Sequence, residues 1–252
     1  MANPNTVLGA NPQPQQYETD LRWEMVDEYS FSHLHPAGST HPSNEVLTYA
    51  LDNSKKEGLP NIAVSPSQGK YLMLQARMIR AERILEVGTL GGYSTIWLAS
   101  AWKGVRVTTV EINPHHQSVA QTNLAQAGVS NKVESLLGPG VEVLTKLAGE
   151  VKAGKRKKYD MVFIDADKIN NWNYVNLALD MTRPGACIIV DNVVRRGLLA
   201  DAEAAKTNPN VEGSRRVVEN VGKDPRIDGV VIQLVGGKNY DGFLVATVNN
   251  DE

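Results

Sequence analysis

A single cysteine, Cys187, stands in the 252 residues, so no intramolecular disulfide can form. That suits a reducing compartment. Cys187 lies inside an apolar run, where a thiol acts as a small buried hydrophobe rather than a nucleophile. No apolar run approaches the roughly 20 residues that a membrane span needs. The N-terminal stretch MANPNTVLGANPQPQQ has no hydrophobic segment of the signal-peptide kind. A broad basic stripe is also missing: the net charge is −2, and the one basic cluster, KAGKRKK at 152–158, reads as a solvated loop. These absences predict a soluble cytoplasmic protein without a membrane and argue against nucleic acid as a partner. There are no internal repeats and no second core.

What is present is an ordered alternation. Residues 1–16 are rich in Asn, Pro and Gln and read as a disordered tail. Residues 17–80 read as N-terminal helices. Leu21, Met25 and Tyr29 mark the first, over 19–34. The second runs over 43–58 with Ser43 placed to cap it, and Ser65-Pro66 opens a third through Tyr71, Leu74 and Met78. From residue 81 the rhythm changes to short β-rich runs: 83–88 (RILEVG), 105–111 (VRVTTVE), 132–138 (KVESLLG), 159–165 (YDMVFID) and 186–192 (ACIIVDN). Each is followed by a segment of helical period. This predicts an α/β fold with a doubly wound, mostly parallel sheet whose strands are buried on both faces. A helix is expected over 214–221. The runs 229–236 and 240–249, joined by a glycine turn, read as a closing antiparallel hairpin.

The first strand runs into Glu86-Val87-Gly88-Thr89-Leu90-Gly91-Gly92-Tyr93-Ser94. Glycine lets a ligand approach the backbone, and the helix that follows offers free N–H groups. The spacing is not the dinucleotide fingerprint G-x-G-x-x-G, and Glu86 would crowd a pyrophosphate. An E-x-G turn better suits a zwitterion. Glu111 ends the second strand about 20 residues on, where an acid commonly accepts from ribose hydroxyls. The competing reading makes Glu111 a cap for the helix at Asn113-Pro114.

Asp165, Asp191 and Asn192 end two further strands. In an open α/β sheet that edge is where ligands bind. Two carboxylates and an amide are hard oxygen donors that suit Mg²⁺, with Ca²⁺ or Mn²⁺ as substitutes, better than Zn²⁺. No His–Cys cluster competes for the role. Lys168, three residues after Asp165, suggests a base. The competing reading has both aspartates capping helices and Lys168 on the surface.

The segments AVSPSQGKYL (63–72), ILEVGTLGGYST (84–95), VTTVEINP (107–114), YDMVFIDADK (159–168) and IIVDNVVRRG (188–197) occur in the expected order. Together they resemble class I S-adenosylmethionine-dependent methyltransferases, and most of all the metal-dependent O-methyltransferases of the caffeoyl-CoA and catechol type. The resemblance implies a Rossmann-like core at 81–252, a single methyltransferase domain over 17–252, and N-terminal helices that cover the acceptor site or form a homodimer interface. It implies that Val64 covers the methionine end of S-adenosylmethionine and that Glu86 and Gly88 line its amino-acid group. Ser94 would bond its carboxylate, Glu111 would hold the ribose and Gly140 would lie beside the adenine. Asp167 would face the cofactor, and Thr89 and Asp165 also count among its contacts. The same resemblance assigns Asp165, Asp191 and Asn192 to the metal and Lys168 to the general base, with Asp165 sharing the catalytic role.

The implied reaction is methylation of a small aromatic hydroxyl, catechol-like or phenylpropanoid. A vicinal diol would chelate the cation. Arg195 and Arg196 could contact an anionic acceptor or sit on the surface. They replace the Trp and Asn of plant-type relatives, which puts CoA-ester specificity in doubt. Residues 198–213 read as a long loop of the lid kind. His33, His35 and His41 are expected to be structural or to wall a pocket, because His35-Pro36 and His41-Pro42 break the helix. Trp172 and Tyr174 are expected in the core, with a wall of the acceptor pocket as the alternative. The rival readings are a tRNA hydroxyuridine O-methyltransferase, an NAD-dependent oxidoreductase and a non-catalytic dimeric scaffold.

Overall fold

The computed structural model describes residues 20–38 and 41–249. The tail expected over 1–16 lies outside the described residues. Three helices come first: α1 (Leu21–Leu34), α2 (Asn44–Lys56) and α3 (Pro66–Met78). Asp20 starts α1 by accepting from the Arg22 N–H at 2.9 Å. Ser65 and Gln68 bond each other's backbone in a reciprocal capping box around Pro66, which fixes the start of α3. Ser43 holds the N-cap position of α2, yet its hydroxyl makes no cap bond there.

The strands are β1 (Arg83–Val87), β2 (Arg106–Glu111), β3 (Val133–Leu137), β4 (Tyr159–Ile164), β5 (Thr182–Val190), β6 (Ile227–Val235) and β7 (Tyr240–Val248). Between and after the parallel strands run α4 (Tyr93–Ala99), α5 (Pro114–Gln126), α6 (Gly140–Lys152), α7 (Asn171–Met181), α8 (Ala202–Thr207) and α9 (Pro209–Val221). One sheet has the order β3-β2-β1-β4-β5-β7-β6. β1 to β5 are parallel, and β7 runs antiparallel to both β5 and β6. The doubly wound sheet with a reversed final hairpin is thus as expected. The chain direction of winding changes between β1 and β4, and the crevice there is the ligand position of such sheets.

Two apolar layers sandwich the sheet. On one face Leu144 and Leu147 of α6, Val175 and Ala178 of α7, and Val217 of α9 pack on Leu85, Val162 and Ile188. On the other, Leu72 and Met73 of α3 and Ile96 and Trp97 of α4 pack on Ile84, Phe163 and Ile189. Burial on both faces holds for β1, β4 and β5, whose residues alternate between these layers. It fails for β3 and β6, which are edges and mostly half-buried or exposed. Among the described residues no helix is long and apolar enough to cross a membrane.

Three expectations need correction. Residues 198–213 are not a loop: a 3₁₀ turn (Arg195–Ala200) leads into α8 and α9. Asp201 and Asn208 each accept two backbone N–H groups at the helix starts, and Pro209 occupies the first turn of α9, so that helix begins well before residue 214. β5 begins at Thr182 rather than Ala186, because Tyr159 pairs with Thr182 ahead of an irregularity in register. The basic stretch after α6 is not free in solvent throughout: Arg156 is mostly covered, bonding Glu134 at 2.7 Å and Glu150 at 2.8 Å.

Candidate active site

A cavity of about 1020 Å³ opens along the carboxyl ends of β1, β2 and β4. Strand-end backbone builds it. The Asp165 N–H bonds the Val87 carbonyl at 2.8 Å and the Asp191 N–H bonds the Ile164 carbonyl at 2.9 Å, so each ladder continues one residue past its strand. The side chains of Asp165 and Asp191 therefore leave from fixed backbone. Gly88, just after β1, has φ +97, and a Cβ there would stand 2.1 Å from the Asp165 carbonyl oxygen. The two turns at the switch point touch, and only glycine lets them.

Of the residues expected at the cofactor, Val64, Gly88, Thr89, Ser94, Glu111, Gly140, Asp165 and Asp167 all line this cavity. Glu86 does not. It is fully buried one layer behind the wall, where its carboxylate accepts from Ser94 at 2.6 Å, from Thr109 at 2.7 Å and from Thr95. Glu86 thus orients Ser94, which lines the cavity, instead of lining it itself. Burial pushes the Glu86 carboxyl up to about 7, against the pull of the three hydroxyls.

That shift has a measurable consequence. The folded state holds the Glu86 proton more tightly than the unfolded chain, so its favourable contribution is complete below pH 4.5 and is lost as pH rises toward about 7. The loss is on the order of 3 kcal/mol, since one pKa unit is about 1.4 kcal/mol. Urea unfolding of Glu86→Gln is expected to show a flatter stability profile than wild type between these pH values. Parallel profiles would refute the assignment.

Glu111 is buried at the end of β2. One of its oxygens accepts from the Thr89 N–H at 3.2 Å and the Leu90 N–H at 2.8 Å; the other accepts from Ile112 at 3.0 Å and Asn113 at 2.9 Å. It staples the glycine turn to β2. It is not the cap of α5, a role that Asn113 fills through the His115 and His116 N–H groups. Gly140, at the start of α6, packs on Tyr174, whose ring a Cβ would meet at 2.8 Å. Tyr174 donates to Asp167 at 2.5 Å, and Asn170 donates to the other Asp167 oxygen at 2.6 Å. Tyr174 is buried as expected and also lines the cavity.

Asp165, Lys168 and Asn192 also line the cavity. Lys168 is buried, and its Nζ bonds Asp165 Oδ1 at 2.8 Å. It is not a surface residue. A Cβ at Gly213 of α9 would stand 2.2 Å from the Lys168 carbonyl oxygen, so α9 presses on this segment from outside. Asp191 is 3% exposed and sits behind the wall, accepting from the Asn192 N–H at 2.6 Å. Burial, and then the nearby Asp165 charge, raise the Asp191 carboxyl well above the usual carboxylate range. Asn192 adopts φ +57, left-handed for a residue with a side chain. Neither aspartate caps a helix.

Among the described residues no group of three or more His, Cys, Asp or Glu side chains is arranged as a metal shell. The donor set of Asp165, Asp191 and Asn192 fits a hard divalent cation on different grounds. It is all oxygen, and a buried carboxylate beside another carboxylate is a charge arrangement that a cation relieves.

Arg195 and Arg196 line neither this cavity nor a smaller neighbour. His35 is buried, stacked on Phe31 (4.9 Å) and tilted against Trp97 (5.1 Å), with Nε2 3.0 Å from the Pro42 carbonyl, a structural place as expected. Cys187 is buried, which pushes its thiol up to about 11. Residues not foreseen also line the cavity: 59–63, His116, and Lys238 from the turn between β6 and β7. The Lys238 ammonium donates to the Ala63 carbonyl. Burial pushes it down, while Asp191 and Asp165 pull it up. The run Gly236-Gly237-Lys238-Asn239 was readable as a turn, but nothing local says that it reaches this site.

A family model described as O-methyltransferase matches residues 38–242. The chain is 44% identical to an O-methyltransferase of Aspergillus flavus over 93% of its length and 94% of that protein. It is 46% identical to a catechol O-methyltransferase of Mycobacterium tuberculosis over 80% of its length and 88% of that protein. The crystal structure of an O-methyltransferase from Bacillus cereus in complex with SAH superposes with a TM-score of 0.82 at 39% identity, covering 91% of this chain and 99% of that one.

Proposed function

The chain belongs to the O-methyltransferase family, and from that membership and the cavity's geometry we propose that it methylates a hydroxyl of a small aromatic vicinal diol. S-adenosylmethionine is the donor in this reading, and a divalent cation, Mg²⁺ first, is the activator. The observation that carries it is the convergence of the Gly88 turn, Glu111, Lys168 and Asn192 on one cavity at the sheet's switch point. The SAH complex of the similar Bacillus cereus protein supports the choice of donor. An NAD-dependent oxidoreductase does not fit this membership.

S-adenosylmethionine supplies a sulfonium-bound methyl group for in-line displacement by oxygen. Ser94, oriented by Glu86, holds the amino-acid end, with Gly88, Thr89 and Val64 around it. Glu111 holds the ribose. Four peptide N–H groups already bond its carboxylate, so a ribose hydroxyl would compete with the longest of them, the 3.2 Å Thr89 contact. Gly140 and Tyr174 form a flat wall for the adenine, and Tyr174 fixes Asp167 toward the donor.

A bound divalent cation supplies Lewis acidity that lowers the acceptor hydroxyl's pKa and fixes its place. Asp165, Asp191 and Asn192 are the residues that would hold it. Lys168 Nζ, released from Asp165 and in its uncharged amine form, would be the group placed to accept the hydroxyl proton. Arg195 and Arg196 are not needed for this reading, since neither lines the cavities, although the Arg195 N–H bonds Asp241 on the wall of the smaller one. We read 17–252 as one catalytic domain with the N-terminal helices as its cover, in a cytoplasmic homodimer. The exposed Leu21, Met25 and Tyr29 of α1 support such an interface.

The test is an acceptor series with labelled S-adenosylmethionine and Mg²⁺. Catechol is expected to exceed phenol in kcat/KM by about 10⁴-fold, the scale on which a site rejects an analogue lacking a hydroxyl it binds. Equal rates on the two would remove the chelation argument.

A further inference from the structure

We propose that Lys238 selects acceptors that carry a negative charge, such as a carboxylate on the diol-bearing ring. The inference rests on the O-methyltransferase reading above. A second cavity, of about 200 Å³, lies between α1 and α3 on one side and β6 and β7 on the other. Tyr71 and Phe243 stack on its wall, with ring centroids 5.7 Å apart and planes at 15°. Such a wall suits an aromatic acceptor.

Among the described residues Lys238 is the only one that lines both cavities, and it is the only cationic side chain on the wall of the smaller one. An acceptor lying across the two cavities would meet Lys238. That ammonium has three N–H donors. One goes to the Ala63 carbonyl, and among the described residues no ion pair engages the others.

The carboxylates on the same wall are already engaged. Asp27 accepts from Ser67 at 3.2 Å and from the Gly237 N–H at 3.4 Å. Asp241 accepts from the Arg195 N–H at 3.0 Å and the Gly242 N–H at 2.9 Å. Lys168 is bonded to Asp165. A divalent cation held by Asp165 and Asp191 would withdraw the two carboxylate charges that act on Lys238, leaving its ammonium in want of a counter-ion. An anionic acceptor supplies it.

The experiment compares 3,4-dihydroxybenzoate with the neutral 3,4-dihydroxybenzyl alcohol, by turnover and by calorimetric titration in the presence of S-adenosylhomocysteine and Mg²⁺. Wild type is expected to favour the carboxylate by about tenfold in both kcat/KM and affinity, a conservative figure for a charge pair at a binding site. Lys238→Met is expected to bring both ratios close to one, mainly through KM, and Lys238→Arg to keep most of the preference. A wild-type ratio near one, or a Lys238→Met loss equal for the two ligands, overturns the proposal. If neither ligand is methylated, the diol reading fails, and the titration still decides Lys238: a charge preference lost in Lys238→Met supports it, and no preference overturns it.

Discussion

Asp191→Asn is expected to lower turnover on a catechol by about a thousandfold, equivalent to about 4 kcal/mol of transition-state stabilisation. Affinity for S-adenosylhomocysteine is expected to persist, because Asp191 is buried and, unlike the residues of the glycine turn, does not line the cavity. EDTA should reproduce the loss in wild type, with recovery on Mg²⁺ addition. A second readout does not depend on turnover. Asp191 is buried beside Asp165, and both burial and that charge oppose its ionisation. Without metal, the neutral amide removes this penalty, so Asp191→Asn should unfold at higher urea than wild type. Wild type should gain stability on Mg²⁺ addition, as any ligand of the native state stabilises it, and the variant should not. Full wild-type activity in EDTA after exhaustive metal removal, with no Mg²⁺ effect on unfolding, would end the metal reading.

Gly88→Ala should abolish cofactor binding and cost about 2–4 kcal/mol of stability, the range of backbone strain combined with core overpacking. Two effects add here. The φ of +97 is costly for any residue with a side chain, and the new Cβ would stand 2.1 Å from the Asp165 carbonyl oxygen. That oxygen is backbone and cannot swing away, so the β1 and β4 turns must part at the switch point. Gly154→Ala separates the two effects. Its φ is +69, and a Cβ there meets nothing within 4 Å. It should cost only about 1 kcal/mol, the conformational term alone. Urea unfolding of both variants, with S-adenosylhomocysteine titration of each, measures the difference. If Gly88→Ala costs no more than Gly154→Ala, close contact between the two turns is not what requires glycine.

Legibility tracked how local each signal was. Ser65-Pro66 is a two-residue signal and was readable as the start of α3, where Gln68 completes a capping box. The same chemistry at Asp201 and at Asn208-Pro209 was present but masked by a polar, alanine-rich composition that read as a loop. Glu86 shows the opposite failure. Its place beside the glycine turn suggested ligand contact, but strand alternation and three hydroxyls from α4 and β2 turn it inward. Thr109, one of those hydroxyls, is 23 residues away, and no sequence window joins them.

The amino-acid sequence by itself determined the alternation of strands and helices, the glycine turn after β1, and the acidic residues at the strand ends. Those follow from periodicity, propensity and capping, which act over a few residues. Only the tertiary structure decided which strand ends meet. The order β3-β2-β1-β4-β5-β7-β6 sets Gly88 against Asp165 across 77 residues of chain and returns Lys238 to the same crevice through a reversed hairpin. Strand order is chosen by packing two apolar layers on one sheet, a global balance that no local pattern of residues encodes.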